Sequence, residues 1–157
     1  MIQVGDKIPQ ASVQQMIDGK PAEVHTQDFF KGKKVVLFSV PGAFTPTCSS
    51  AHLPGFVVLA DKIKEKGVDA IVCMAVNDAF VMDAWGKVHN ASELLMWGDG
   101  DASFAKALGL DVDTGAFGGT RSRRFAMIVD DGKVTLLNVE PPKTFESSKA
   151  ETILAAL

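Results

Sequence analysis

The chain has 157 residues, 46% hydrophobic and 22% charged, with a formal net charge of −3. That length and balance fit one soluble globular domain over residues 1–157, able to bury about two-thirds of its unfolded surface. With no long single-sign block and no apolar stretch near the ~20 residues that span a bilayer, neither nucleic acid nor a membrane is an expected partner.

Strand-like and helix-like segments alternate from about residue 34 onward. Val35 to Val40 is a continuous apolar run bounded by Lys33-Lys34 and Pro41-Gly42, the pattern of a buried central strand. Thr47 to Lys66 reads as mostly helical, stopping at Gly67, and Pro54 is expected to kink it by removing a backbone donor. Val68 to Val76, containing Cys73, reads as a second buried strand. Asn77-Asp78 caps a helix through about His89, with Phe80, Val81, Ala84 and Trp85 on its apolar side. A short strand over Leu94 to Trp97 precedes a short helix over Ala102 to Leu108 that ends at Gly109. After the glycine-rich loop Gly115 to Gly119, Arg124 to Val129 and Val134 to Val139 pair as a hairpin across Asp130-Asp131-Gly132. Ser148 with Glu151 predicts a capping box for the last helix. The order predicts an α/β fold, a mixed sheet with helices on both faces.

Met1-Ile2-Gln3-Val4-Gly5-Asp6 shows no basic and apolar signal-peptide pattern. The two cysteines, Cys48 and Cys73, make neither a CxxC pair nor a disulfide framework, which suits a reducing setting, the cytoplasm or, for a mature form, an organelle. Only three histidines are present, His25, His52 and His89. The single Cys48–His52 pair at helical spacing is too few ligands for a metal site, so neither metal nor cofactor is expected.

Cys48 stands apart from the usual structural cysteine, which lies inside an apolar run. Its neighbours are Thr45, Pro46, Thr47, Ser49 and Ser50, at the point where a buried strand gives way to a helix. Ligands collect at that carboxyl end of the strands in open α/β sheets. Unpaired N–H groups and the positive end of the helix dipole favour an anion there, and a nearby cation would complete the setting of a thiolate nucleophile. Arg121-Ser122-Arg123-Arg124 supplies the cation. Alternation puts Arg121 and Arg123 on one face and Arg124 on the other, and spacing alone does not choose among them. Thr45, one helical turn before Cys48, caps the helix or presents its hydroxyl to a molecule bound at the sulfur.

Pro41-Gly42-Ala43-Phe44-Thr45-Pro46-Thr47-Cys48-Ser49 resembles the active-site segment of the peroxiredoxins, with their Pro-x-x-x-Thr-x-x-Cys pattern. The similarity is to the peroxiredoxin 5, or type II, subfamily. His52, Pro54-Gly55-Phe56, Val76 to Val81, Arg121 to Phe125 and Leu137 to Glu140 extend it over nearly the whole chain. The resemblance implies a thioredoxin-like fold and reduction of hydroperoxides through a sulfenic acid on Cys48. It assigns catalytic roles to Cys48, Thr45 and Arg124, favouring Arg124 over its neighbours. Pro41, Gly42 and Thr47 become the substrate pocket, and His52 a support packed beside the helix.

The resemblance also raises the question of a resolving thiol. Pro141 to Leu157 contains no cysteine, so the only other thiol is Cys73, whose spacing from Cys48 resembles plant type II members. Within Ile71-Val72-Cys73-Met74-Ala75-Val76 it reads as a core residue. The expected reductant is therefore external, glutathione with glutaredoxin. A Cys48–Cys73 disulfide reduced by thioredoxin is the alternative, as is a peroxide sensor that does not turn over. A thioredoxin-type exchanger is disfavoured because Thr45 occupies the place of a first cysteine. The family also implies a homodimer, with Phe44, Phe80 and Phe117 as interface aromatics.

Overall fold

The computed structural model describes all residues, Met1–Leu157. Its centre is a seven-stranded sheet. The strands are β1 (Ser12–Ile17), β2 (Lys20–His25), β3 (Lys34–Ser39), β4 (Ala70–Ala75), β5 (Leu95–Gly98), β8 (Phe125–Asp130) and β9 (Lys133–Val139), in the order β2-β1-β5-β4-β3-β8-β9. β3, β4 and β5 are parallel, whereas β8 and β1 flank them antiparallel. A separate two-stranded ribbon joins β6 (Asp111–Asp113) to β7 (Thr120–Ser122). The fold is the expected thioredoxin-like mixed sheet with helices on both faces.

Continuous apolar runs make central strands because both of their faces are covered. Val36 and Phe38 of β3, Ile71 and Cys73 of β4, and Ala126 and Ile128 of β8 face one core. That core is closed by α2 (Leu53–Glu65), α3 (Ala79–Val88) and α5 (Ala150–Ala155). Val35, Leu37, Val72, Met74, Phe125 and Met127 face the other core, with α1 (Thr26–Phe30) and α4 (Ser103–Leu108). The period of two puts Arg124, just before β8, on the face of Ala126 and Cys48.

Three expectations need correcting. The segment Thr47 to Lys66 is mostly helical as expected, but the disturbance ahead of Pro54 is a π turn over Cys48–His52 that runs into α2 at Leu53, not a simple proline kink. Pro54 has no N–H to give the Ser50 carbonyl and its ring would collide with that oxygen. The ladder shifts register instead, and the Leu53 N–H reaches the Cys48 carbonyl. The capping box at Ser148 does not form either. Lys149 is the N-cap of α5 and makes no side-chain cap, while the Ser148 hydroxyl donates to Glu140 at 2.7 Å. A charged acceptor binds the hydroxyl more strongly than a backbone amide can use it. The third concerns residues 1–33, which hold the β1–β2 hairpin around Asp18 and Gly19, both at positive φ. This Asp-Gly turn is the visible signal, but its strands bury fully only Val13 and lack an apolar run. The cap at Asp78 does form, accepting the Val81 N–H at 2.9 Å.

Candidate active site

The loop between β3 and α2 is fixed from the neighbouring strand. The Val40 N–H bonds the Met74 carbonyl at 3.0 Å, and the Ala43 N–H donates to Asn77 Oδ1 at 3.0 Å. Asn77 can approach because Gly98, at the end of β5, has no Cβ. A Cβ there would lie 2.7 Å from the Asn77 carbonyl oxygen and the Ala79 nitrogen. Phe44 takes a positive φ of 65°, a conformation that costs a non-glycine residue energy and persists only where surrounding contacts impose it. Trp85 of α3 donates its indole N–H to Ser49 Oγ at 3.0 Å, bracing the π turn from outside.

Cys48 heads that turn and is fully buried. The Arg124 guanidinium Nη2 donates to Cys48 Sγ at 3.1 Å. The other two arginines point away from the sulfur. Arg121 donates to the Val76 and Gly118 carbonyls, each at 2.9 Å, and Arg123 reaches the Glu140 carbonyl at 3.4 Å. Thr45 Oγ1 donates to the Gly42 carbonyl at 2.7 Å. Its proton is thus engaged and its lone pairs are left as acceptors. Gly42 is buried behind Thr45, whereas Pro41, Thr47 and Arg124 line a cavity of about 500 Å³.

Behind Arg124 runs a chain of hydrogen bonds that sequence patterns do not reveal. Arg124 Nη1 lies 2.8 Å from His52 Nδ1. A guanidinium can only donate, so Nδ1 must accept and the ring proton sits on Nε2. Nε2–H then donates to the Ser148 carbonyl at 3.0 Å. Burial, reinforced by the Arg124 charge, lowers the His52 pKa from 6.5 to about 3 against the opposing pull of Ser148 and Glu140. The imidazole therefore stays neutral and holds the guanidinium in place. Both of its nitrogens are committed, and no group of three or more His, Cys, Asp or Glu side chains is placed to hold a metal.

Glu140 anchors the far end of this chain. Its carboxylate accepts the Ser148 hydroxyl and N–H, the Glu146 N–H and the Thr144 hydroxyl at 2.7–3.1 Å. Burial alone would raise its pKa, but the Ser148, Glu146 and Thr144 hydrogen bonds outweigh it and hold the carboxyl at about 2. The loop so tied carries Phe145, whose ring stands 5.0 Å from the His52 ring and 5.8 Å from the Arg124 guanidinium. Four donors converging from residues 144 to 148 have no sequence periodicity, so only the folded loop exposes the role of Glu140.

Cys73 sits in β4 opposite Phe38 and Met96 and is fully buried. Both cysteines are free. Burial pushes the Cys73 thiol well above its ordinary pKa and the Cys48 sulfur adds to the effect. It is a poor nucleophile in this conformation.

A thiol held by a guanidinium at the carboxyl end of a thioredoxin-like sheet defines a thiol-based redox enzyme. The Redoxin family model matches residues 3–154. Peroxiredoxin-2B of Arabidopsis thaliana is 47% identical, over 99% of this chain and 98% of that protein. Among solved structures, reduced Prx3 from Vibrio vulnificus in complex with H2O2 is 61% identical, with a TM-score of 0.98 over 99% of each chain. Peroxiredoxin 5 from Alvinella pompejana is 39% identical, with a TM-score of 0.87 over 99% of this chain and 97% of that one. The chain belongs to the redoxin family and within it to the type II peroxiredoxins, which are antioxidant thiol peroxidases.

Proposed function

We propose that this enzyme reduces hydrogen peroxide and alkyl hydroperoxides through Cys48 alone, with glutathione and glutaredoxin restoring the thiol. The observation that carries the assignment of the nucleophile is the 3.1 Å contact between Arg124 and Cys48 Sγ. The Cys48 thiolate attacks the terminal peroxide oxygen in line with the O–O bond. An S–O bond forms as the O–O bond breaks, and the sulfur becomes a sulfenic acid. The leaving oxygen departs with the bond pair and takes up a proton, giving water or an alcohol. Arg124 stabilises charge on the oxygens during this shift. Thr45, its proton already given to Gly42, accepts the O–H of the peroxide and so orients it. Pro41 and Thr47 bound the approach, Gly42 holds Thr45, and His52, Ser148 and Glu140 position Arg124.

Burial of Cys73 in the middle of β4 supports an external reductant. Joining it to Cys48 would require Cα atoms within roughly 7 Å and the π turn unwound. A reductant thiol attacks the sulfenic sulfur, forming a mixed disulfide and expelling water; a second thiol then releases Cys48. Exposed Phe44, Phe80 and Phe117 support a homodimer, and the free thiols fit a reducing, cytoplasmic setting. The test measures peroxide consumption with glutathione plus glutaredoxin against thioredoxin, in the wild type and in Cys48→Ser. Turnover is expected only in the wild type and mainly with glutaredoxin. A tenth of wild-type activity in Cys48→Ser would remove Cys48 as nucleophile, and preference for thioredoxin would overturn the reductant.

A further inference from the structure

Hydrogen peroxide needs little room, yet the cavity over Arg124 measures about 500 Å³, within the ~300–1,000 Å³ usual for pockets that enclose organic ligands. Its walls include Pro41, Val112, Pro142 and Phe145, which offer apolar surface. Strand alternation turns Asp111 and Asp113 away from the side that Val112 faces, and neither lines the cavity.

Two cations stand at its edge, Arg123 and Lys143. Neither belongs to any ion pair of the protein. Arg123 is half-buried and makes only the long 3.4 Å contact with the Glu140 carbonyl, leaving most of its donors free. Lys143 is exposed at positive φ, 63°. Its turn is closed by Thr144, which bonds both the Pro141 carbonyl and Glu140. Glu140 is the one acidic residue lining the cavity, and its oxygens are taken by the donors described above. A protein of net charge −3 thus keeps a locally positive, partly apolar recess beside its nucleophile. Such a recess concentrates anions.

We propose that this cavity takes the organic part of a hydroperoxide that carries a carboxylate, with Arg123 and Lys143 binding the carboxylate and Arg124 receiving the peroxide end. The inference rests on the peroxidase reading and adds a substrate class to it. The reaction is that already described, the organic product being the corresponding hydroxy acid.

The test uses single-turnover oxidation of the reduced protein without reductant, followed by loss of the Cys48 thiol. Four peroxides are compared: hydrogen peroxide, cumene hydroperoxide, its para-carboxylate, and the methyl ester of that acid. The wild type should oxidise with the acid roughly five- to tenfold faster than with the ester at low salt, as expected of two partly exposed charge contacts. The preference should shrink as salt rises. Arg123→Gln with Lys143→Gln should abolish it while the hydrogen peroxide rate stays within about twofold. Lys143→Glu, a change at an exposed turn, should by itself lower the acid-to-ester ratio. A wild-type ratio near one, or a ratio that survives in the double variant, overturns the proposal. A wild type inert to all four peroxides would instead refute the peroxidase reading beneath it.

Discussion

Replacing His52 by glutamine should remove a large part of the acid sensitivity of folding. His52 is fully buried and its pKa falls from 6.5 unfolded to about 3 folded, chiefly through burial and then through Arg124. Below pH 6.5 the unfolded chain takes up a proton that the folded chain refuses, so stability declines with falling pH until the folded value is reached. Each pH unit in that window costs about 1.4 kcal/mol, so lowering the pH by about two units from 6.5 costs about 2.7 kcal/mol from this one group. Glutamine keeps a carbonyl acceptor for Arg124 and an amide donor for Ser148 but does not titrate. Urea unfolding at a series of pH values from neutral to about 4.5 reads the difference directly. The wild-type curve should be steeper than that of His52→Gln by about 2–3 kcal/mol across the window. Parallel curves would refute the neutral, buried imidazole.

Arg124→Gln should slow peroxide oxidation of Cys48 by about a hundredfold or more, measured by stopped-flow single turnover. Arg121→Gln, which loses only carbonyl contacts, should change that rate by less than about threefold; equal effects would remove Arg124 from its role. Glu140→Gln should lower kcat more than it raises KM, because it loosens the Ser148–His52–Arg124 support and leaves the cavity edge in place. It should also flatten the loss of stability that the wild type shows as pH falls from about 4.5 towards 2, since a depressed carboxyl stabilises the fold only while ionised. Unchanged kinetics and an unchanged acid limb would dismiss Glu140 as a positioning residue. Cys73→Ser should keep glutaredoxin-supported turnover near wild type and cost ~1–3 kcal/mol from an unpartnered hydroxyl in an apolar strand. Mass spectrometry after one equivalent of peroxide should find sulfenic acid, and a dominant Cys48–Cys73 peptide would defeat the single-cysteine mechanism.

What the sequence determined by itself is whatever local pattern encodes. The unbroken apolar runs at Val35 to Val40 and in β4 and β8 announced doubly covered central strands, because both faces must be apolar there. Asp78 and Gly109 marked helix ends through their own backbone chemistry. The Pro-x-x-x-Thr-x-x-Cys segment marked Cys48 as the proposed nucleophile and Thr45 as its partner hydroxyl. The polar hairpin β1–β2 lay below that signal, since strands at the margin of a sheet need little hydrophobicity to pair. Tertiary structure decided the rest. Spacing left three arginines open and the resemblance favoured Arg124; the fold gave Arg124 the sulfur by sending Arg121 and Arg123 to carbonyls. Pro54 announced a disturbance, but only the packed helix converted it into a π turn headed by Cys48. Ser148 looked like a cap and became a link to Glu140, because the carboxylate at the end of β9, eight residues earlier, outbid the local amide. Contacts between residues 72 and 76 positions apart, as in Arg124 with His52 and Cys48, leave no periodic trace in a chain; they exist only once the sheet has brought its strands together.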